Sequence, residues 1–213
     1  IHSYLTKHSY GNATLNDLLA ELNAASDRDL DAWSKLWLQE SGINTLTTKV
    51  ATDADGVITK FAVEQKGSAN NGVLRPHTLK IGFYGLRDGK VVRLDSFQED
   101  IDAVPSTEIA DLVGKKRPEF ILLNDDDLTY AKLRFDQQSL DFLEDHLADF
   151  DDALARAVAS LALWDMTRDA EYPAEKYIKV TLAQLAREDQ ATTFKTILAG
   201  LMTTVRQYVA PAR

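Results

Sequence analysis

Residues 46–64, LTTKVATDADGVITKFAVE, decide how the chain folds. Side chains from Val57 to Glu64 alternate in period two, the pattern of a half-buried strand. The preceding residues 53–56, DADG, favour a tight turn, because Asp and Gly tolerate left-handed backbone angles. Leu46, Thr48 and Val50 then supply the partner strand. The stretch therefore predicts a β-hairpin.

More short strands are predicted after this hairpin. Residues 79–83 alternate again, and the turn Arg87-Asp88-Gly89-Lys90 leads into a strand over 91–97. Three further candidates are 108–113, 119–123 and 128–135, and 66–76 is predicted to be a long exposed loop. Because these strands follow one another with turns and no helix between them, an antiparallel β-sandwich over 44–136 is favoured over a parallel sheet.

The composition indicates a globular protein and excludes some classes of partner. The 213 residues are 45% hydrophobic and 27% charged, which is enough for a packed core. A net charge of −9 argues against nucleic acid, because phosphate binding needs a basic face. There is no run of apolar residues long enough for a membrane span and no signal peptide, so no membrane association is expected. The absence of cysteine fits a reducing, cytoplasmic location.

Helices are predicted before the sandwich. A first helix over 1–10 is expected to end at a left-handed Gly11, and Thr14 to cap the next helix with Asp17 as partner. Asp29 is predicted to cap a third helix that ends at Gly42. Its apolar face is expected to carry Leu30, Trp33, Leu36 and Trp37. The two tryptophans could form a binding platform, but core packing is the favoured interpretation.

Helices return after residue 136. Ser139 is predicted to cap the first, and the apolar residues Phe150, Leu154 and Leu161 continue the helical pattern. Pro173 suits the first turn of the next helix, whose inner face is expected to be Ile178, Leu182 and Leu185. The clearest amphipathic helix ends at Pro211 and has the apolar stripe Phe194, Ile197, Leu198, Leu201, Met202, Val205 and Val209. Four antiparallel helices with short loops predict the beginning of a helical array.

No motif predicts a catalytic or metal site. The histidines are His2, His8, His77 and His146, and the sequence has no HExxH motif for zinc. The run Arg75-Pro76-His77 is interpreted as an isolated exposed patch. We therefore assign no catalytic, metal-binding or substrate-binding residue.

Two acidic clusters allow alternatives. Asp125-Asp126-Asp127 could hold Ca²⁺, although a solvated turn between strands is favoured, since the spaced pattern of an EF-hand is absent. The second cluster is Asp165, Arg168, Asp169 and Glu171. General acid–base chemistry is possible there, but surface ion pairs at i, i+3 and i, i+4 explain it more simply.

Three groups of residues resemble the M1 family of zinc aminopeptidases, the aminopeptidase N family. The first is KHSYGNAT at 7–14, followed by Asp17-Leu18, Ser26, Asp29-Leu30, Trp33, Trp37-Leu38, Gly42 and Leu46. The others, LNDDDLTYAK at 123–132 and LWDMTRDAE at 163–171, resemble the actinobacterial branch of the family. Leu19 departs from the pattern, because many members have Trp there, and we expect only local repacking.

This resemblance implies a fragment of α and β elements in three parts. Residues 1–43 would be the helical end of a thermolysin-like catalytic domain, 44–136 the β-sandwich, and 137–213 the beginning of the C-terminal helical domain. The family's zinc ligands, HExxH and a later glutamate, lie upstream of the matched region. Zinc and peptide substrates are thus expected for the parent protein, whereas this chain, which opens on Ile1 within a predicted helix, is expected to be an inactive piece without bound metal. The alternative is a free-standing β-sandwich and helical scaffold or protein-interaction module.

Overall fold

The computed structural model describes residues 1–26 and 30–210. Within these ranges the chain forms helices, then strands, then helices again. The first helices are α1 (His2–Lys7), α2 (Leu15–Ala24) and α3 (Leu30–Ser34), which runs into a π-helical turn (Lys35–Gln39). The strands are β1 (Thr45–Thr52), β2 (Ile58–Lys66), β3 (His77–Arg87), β4 (Lys90–Ile101), β5 (Ser106–Glu108), β6 (Phe120–Asp125) and β7 (Lys132–Arg134). The last helices are α4 (Gln137–His146), α5 (Ala153–Arg168), α6 (Ala174–Leu185) and α7 (Ala191–Gln207). None of the helices in the described ranges is long and apolar enough to cross a lipid bilayer.

The strands form two sheets, of order β5-β2-β1-β7 and β4-β3-β6. The predicted hairpin is confirmed, because β1 and β2 pair antiparallel around a turn in which Asp53 Oδ1 accepts hydrogen bonds from the backbone N–H groups of Asp55 and Val57. The second hairpin is confirmed as well. Its turn residues Asp88 and Gly89 have φ angles of 51° and 76°, the left-handed values of a type I′ turn.

The prediction of antiparallel strands is wrong for β7. This strand pairs parallel to β1, with Leu46 opposite Leu133. A hairpin connection requires antiparallel neighbours, but β7 is reached from β6 in the other sheet through the loop 126–131, and a crossing of this kind leaves the direction free.

Two of the predicted strands have different bounds in the structure. Only Ser106–Glu108 pairs in the region of 108–113, and Ala110–Leu112 is a 3₁₀ turn. Ile109 and Leu112 are both buried, and a turn brings residues three apart to one side, which a strand cannot do. In the region of 128–135 the strand is limited to Lys132–Arg134.

One hydrophobic core joins the two sheets and the helices that follow them. It includes Leu46 and Phe61 from the first sheet, Ile81 and Leu122 from the second, and Leu163 from α5. The ring of Phe120 is at its centre, and four other aromatic rings have centroids 5.4–6.1 Å from it. Strands and helices therefore share one core.

The N-terminal helices differ from the prediction at their ends. Helix α1 ends at Lys7, and the left-handed residue is Tyr10, with φ 58°, and not Gly11. The capping box of Thr14 and Asp17 is confirmed. The predicted cap Asp29 and the predicted end of the last helix, Pro211, lie outside the described residues.

The third helical segment does not bury its tryptophans in the core. Leu30, Leu36 and Trp37 are half-buried and Trp33 is 41% exposed, so core packing is the wrong interpretation for Trp33. The segment ends at Gln39, before Gly42, because the backbone is already extended at Glu40.

The N-caps of α4 and α5 differ from the prediction, and so does the buried face of α5. Asp136, and not Ser139, caps α4, and Asp152 caps α5, so that Phe150 precedes α5. Leu154 and Leu161 are 44% and 48% exposed. The buried face of α5 consists mainly of small or slender side chains, which let the helix approach its neighbours closely: Ala155, Val158, Ala159, Ala162, Leu163 and Met166.

The last two helices show the same shift of the buried face. In α6, which Pro173 precedes as N-cap, Leu182 is 54% exposed and Ile178 and Leu185 are half-buried. Its buried residues are Tyr177, Val180, Thr181 and Gln184. In α7, Ile197 and Leu201 are buried as expected. The rest of its stripe is 38–50% exposed at Phe194, Leu198, Met202 and Val205.

Candidate functional site

Arg75 connects the N-terminal helical segment to the sheets. It lies in the loop before β3 and is 3% exposed. Its Nε donates a hydrogen bond of 2.7 Å to the carbonyl of Leu36, and its Nη2 donates to the carbonyls of Glu40 and Ser41 at 2.9 and 3.3 Å. The last carbonyls of a helix have no partner within the helix, so the guanidinium satisfies groups that would otherwise need water. It also lies over the ring of Trp37, with 5.6 Å to the centroid.

His77 is buried beside Arg75. We call Arg75, His77 and Trp37 the joint, because they connect the N-terminal helical segment to the sheets. Its Nδ1 lies 2.8 Å from Thr129 Oγ1, its Nε2 lies 3.3 Å from Asn44 Oδ1, and its ring meets Trp37 edge-on at 5.2 Å. Burial, and then the positive charge of Arg75, lower the pKa of His77 to about 4. The imidazole is therefore neutral near pH 7 and acts as a hydrogen-bonding spacer between three segments.

The interpretation of Arg75-Pro76-His77 as an exposed patch is therefore wrong for two of its three residues. Arg75 and His77 are each 3% exposed, and only Pro76 is open to solvent. An Arg on an otherwise polar loop gives no periodicity signal, because its partners are carbonyls more than 30 positions away. One signal in the sequence could have indicated this joint. Trp37 and Arg75 are residue types that can form a cation–π pair.

A second polar cluster surrounds Asp125. Its carboxylate is fully buried and accepts hydrogen bonds from the Tyr84 hydroxyl at 2.6 Å and from Arg93 at 3.0–3.1 Å. Arg93 and Lys80 also pair with Asp126 at 2.6 and 2.7 Å. Burial raises the pKa of Asp125, against the opposing influence of the Tyr84 hydroxyl and the Arg93 charge.

The solvated-turn interpretation of residues 125–127 is thus wrong for Asp125. Asn124, Asp126 and Asp127 have positive φ angles, which bend the chain as a turn does. The bend, however, directs Asp125 inward, where it links β3, β4 and β6. A carboxylate closed off from solvent and held by a tyrosine and an arginine can stabilise the sheet, but it offers neither a free acid nor a free base for catalysis.

The cluster at the end of α5 also makes long-range contacts. Lys132 of β7 forms an ion pair with Asp169 at 2.6 Å. Arg134 of the same strand pairs with both Asp169 and Glu171. Only Arg168 and Asp165 form the local i, i+3 pair, at 3.6 Å. The interpretation as local surface ion pairs is therefore wrong for Asp169 and Glu171. Their ion pairs connect the C-terminal end of α5 to strand β7.

The resemblance implies zinc in the parent protein, with its ligands upstream of the matched region, and the residues of this chain do not fit a zinc ion. The chain has no HExxH motif, and in residues 1–26 and 30–210 no group of three His, Asp or Glu side chains is arranged to hold a metal ion. His77 is occupied in the joint, and His146 lies 3.1 Å from Asp149 in a local pair.

Two comparisons with known proteins find similarity to aminopeptidases. Residues 120–213, from β6 to the last residue, match the ERAP1-like C-terminal domain. The protein Aminopeptidase N of Streptomyces lividans is 43% identical over 218 aligned positions, which include 99% of this chain and 25% of the relative. The chain thus spans about a quarter of the length of the curated relative it matches. These similarities agree with the resemblance of the motifs at the start, middle and end of the chain to the M1 aminopeptidases.

Proposed function

We propose that this chain is a non-catalytic part of a zinc-dependent aminopeptidase that removes N-terminal amino acids from peptides. The observation that carries the proposal is the 43% identity to an aminopeptidase N over 99% of the chain. In this proposal residues 1–43 end the catalytic domain, 44–136 form a connecting β-sandwich, and 137–213 begin the C-terminal helical domain. We also propose that this aminopeptidase is located in the cytoplasm.

The proposed role of the joint is to hold the catalytic domain in a fixed orientation. Arg75 binds three carbonyls of the segment before residue 43, and His77 binds Thr129 and Asn44. Hydrogen bonds from a rigid, planar guanidinium fix direction as well as distance. Such a joint would let the sandwich act as a rigid spacer.

The proposed role of α5 to α7 is to begin a helical domain that packs against further helices. The row Phe194, Leu198, Met202 and Val205 follows one side of α7 and is 38–50% exposed. A helix of a globular protein usually turns such a row toward other apolar surface. The same row also favours the second candidate function, an interaction module, in which another protein would cover it.

An experiment on this row separates the two candidates. We would replace Leu198 and Met202 together by Ser, in this chain and in the full-length parent protein, and measure thermal unfolding of each. If further helices of the parent cover the row, the substitutions cost about 2–5 kcal/mol per buried side chain there and much less in this chain, where both side chains are partly exposed. An equally small cost in both proteins would favour the interaction module. The matched control is Leu201→Ser, because Leu201 is buried in this chain and should destabilise both proteins.

A further inference from the structure

A cleft separates the helical segment of Trp33 and Trp37 from the adjoining ends of β3 and β4. Its volume is about 520 Å³, within the range of ligand-binding clefts, and the loop residues Leu128 and Thr129 close one side. Neither the comparisons nor the proposed function gives this cleft a role. Its walls differ in chemistry, and each points to the same kind of ligand.

The first wall is aromatic. Trp33 and Trp37 are four residues apart, a spacing that brings helical side chains to the same side. The indole of Trp33 is 41% exposed, an unusual exposure for the largest apolar side chain. The indole of Trp37 already carries the buried guanidinium of Arg75 on its face, so this wall has one cation–π contact within the protein. An open tryptophan face attracts cations, and guanidinium ions in particular.

The second wall carries two carboxylates. Asp100 and Asp102 flank the buried Ile101 at the end of β4. Asp100 accepts a hydrogen bond of 2.5 Å from the Thr78 hydroxyl, and both aspartates are exposed. No lysine or arginine of the described residues forms an ion pair with either of them, in contrast to the paired Asp125, Asp126 and Asp169.

The titratable groups around the cleft indicate a negative electrostatic potential. Burial, and then the charges of Asp111 and Asp100, raise the pKa of Glu99, which precedes Asp100 on β4. His77, which also lines the cleft, is neutral, and the charge of Arg75 lies behind the Trp37 ring with its Nε and Nη2 bound to carbonyls. Among the residues that the structure describes, the charges that face the cleft are therefore predominantly negative.

We propose that this cleft binds an arginine side chain presented by a peptide or protein partner. The guanidinium would stack on the open face of Trp33 while its N–H groups donate to Asp100 and Asp102, an arrangement that uses both the planarity and the charge of arginine. The inference is independent of the proposed aminopeptidase function, because it depends only on the cleft and its two walls.

The test uses this chain, labelled with ¹⁵N, and the probe N-acetyl-arginine amide. The indole N–H resonances of Trp33 and Trp37 report on the aromatic wall, and Trp164 of α5, which does not line the cleft, serves as internal reference. We expect saturable shifts at Trp33 in the millimolar range, and no comparable shifts with N-acetyl-citrulline amide, the uncharged isostere. Asp102→Asn and Trp33→Ala should each weaken binding about two- to fivefold, the size of one exposed ion pair or cation–π contact.

The control variant is Asp88→Asn, which removes the same charge at the exposed turn between β3 and β4. It should bind the probe as the unchanged chain does. The proposal is overturned if Trp33 shows no saturable shift, if the citrulline probe binds equally well, or if Asp88→Asn weakens binding as much as Asp102→Asn does. Circular dichroism of each variant checks that the fold is kept.

Discussion

The guanidinium of Arg75 lies over the indole ring of Trp37, with 5.6 Å between the guanidinium carbon and the ring centroid. This contact joins two parts of the chain that are separated by β1, β2 and a long loop. The ring of Trp37 also meets the neutral His77 edge-on, and the positive charge of Arg75 lowers the pKa of His77. The joint is thus one connected group, and its members should respond to substitution together.

Replacing Arg75 tests whether the joint depends on the shape of arginine or only on its charge. Arg75→Lys keeps the charge but cannot reach the carbonyls of Leu36, Glu40 and Ser41 at once. We expect it to lower the free energy of unfolding by about 2–4 kcal/mol, as loss of several buried hydrogen bonds to a charged group does. Urea denaturation measures this change. The control is Arg87→Lys at an exposed turn, and an effect of equal size there would contradict the assignment.

His77 should make stability fall in acid. Its pKa is lowered from 6.5 to about 4, so the unfolded chain takes up a proton more readily than the folded chain does. This contribution is complete above pH 6.5 and is lost as the pH falls toward 4. The loss at pH 5 is roughly 2 kcal/mol. Comparing urea denaturation of the unchanged chain and His77→Gln at pH 7 and pH 5 isolates it. A pH dependence that is the same in both chains would show that His77 does not carry the effect.

The hydrogen bond from Tyr84 to Asp125 should matter most when the carboxyl is ionised. Tyr84→Phe removes a donor at 2.6 Å from a fully buried carboxylate. Because that donor lowers the pKa of Asp125, its loss raises a pKa that burial already raises. We expect a loss of about 1–3 kcal/mol at pH 7, and a smaller loss in acid, where Asp125 binds its proton. The measurement is denaturation of both chains at pH 7 and pH 4.5. A loss that grows in acid would contradict this sign.

Gly82 should tolerate no side chain. A Cβ at this position would lie 2.6 Å from Asp125 Oδ2 and 2.6 Å from a ring carbon of Tyr84, and both side chains are buried and bound to each other. Gly82→Ala is therefore expected to cost about 1–3 kcal/mol through displacement of this pair. Gly11→Ala is the matched control, because the closest atom to its Cβ would be 3.7 Å away. Thermal unfolding of the two variants should give clearly different midpoints, and equal midpoints would contradict the packing argument.

The sequence predicts the fold where one local pattern is sufficient. The alternation after Val57, the turn at Asp88-Gly89 and the Thr14–Asp17 capping box are each confirmed, because their geometry is set by residues a few positions apart. The direction of β7 was not predictable in this way, since it depends on a crossing between sheets. The buried faces of α5 and α6 were not predictable either. Alanine, Thr181 and Gln184 are buried there while larger apolar residues are exposed, so hydrophobicity alone selects the wrong side.

The polar clusters escaped the sequence analysis for the same physical reason. Arg75, His77 and Asp125 have charged or polar side chains whose partners lie 30 or more positions away, and only the folded chain brings them together. The resemblance of the motifs to the M1 family was the more informative signal for function, and it is confirmed by the similarity to an aminopeptidase N.

The most direct test of the proposed function compares zinc content and aminopeptidase activity in this chain and in its full-length parent. Both proteins would be purified without chelators, their zinc measured by elemental analysis, and hydrolysis of an amino-acid anilide followed under identical conditions. We expect an active parent that contains zinc, and a chain that neither hydrolyses the anilide nor retains stoichiometric zinc. Zinc-dependent activity in the chain itself, or a parent that neither binds zinc nor hydrolyses the anilide, would contradict the proposal.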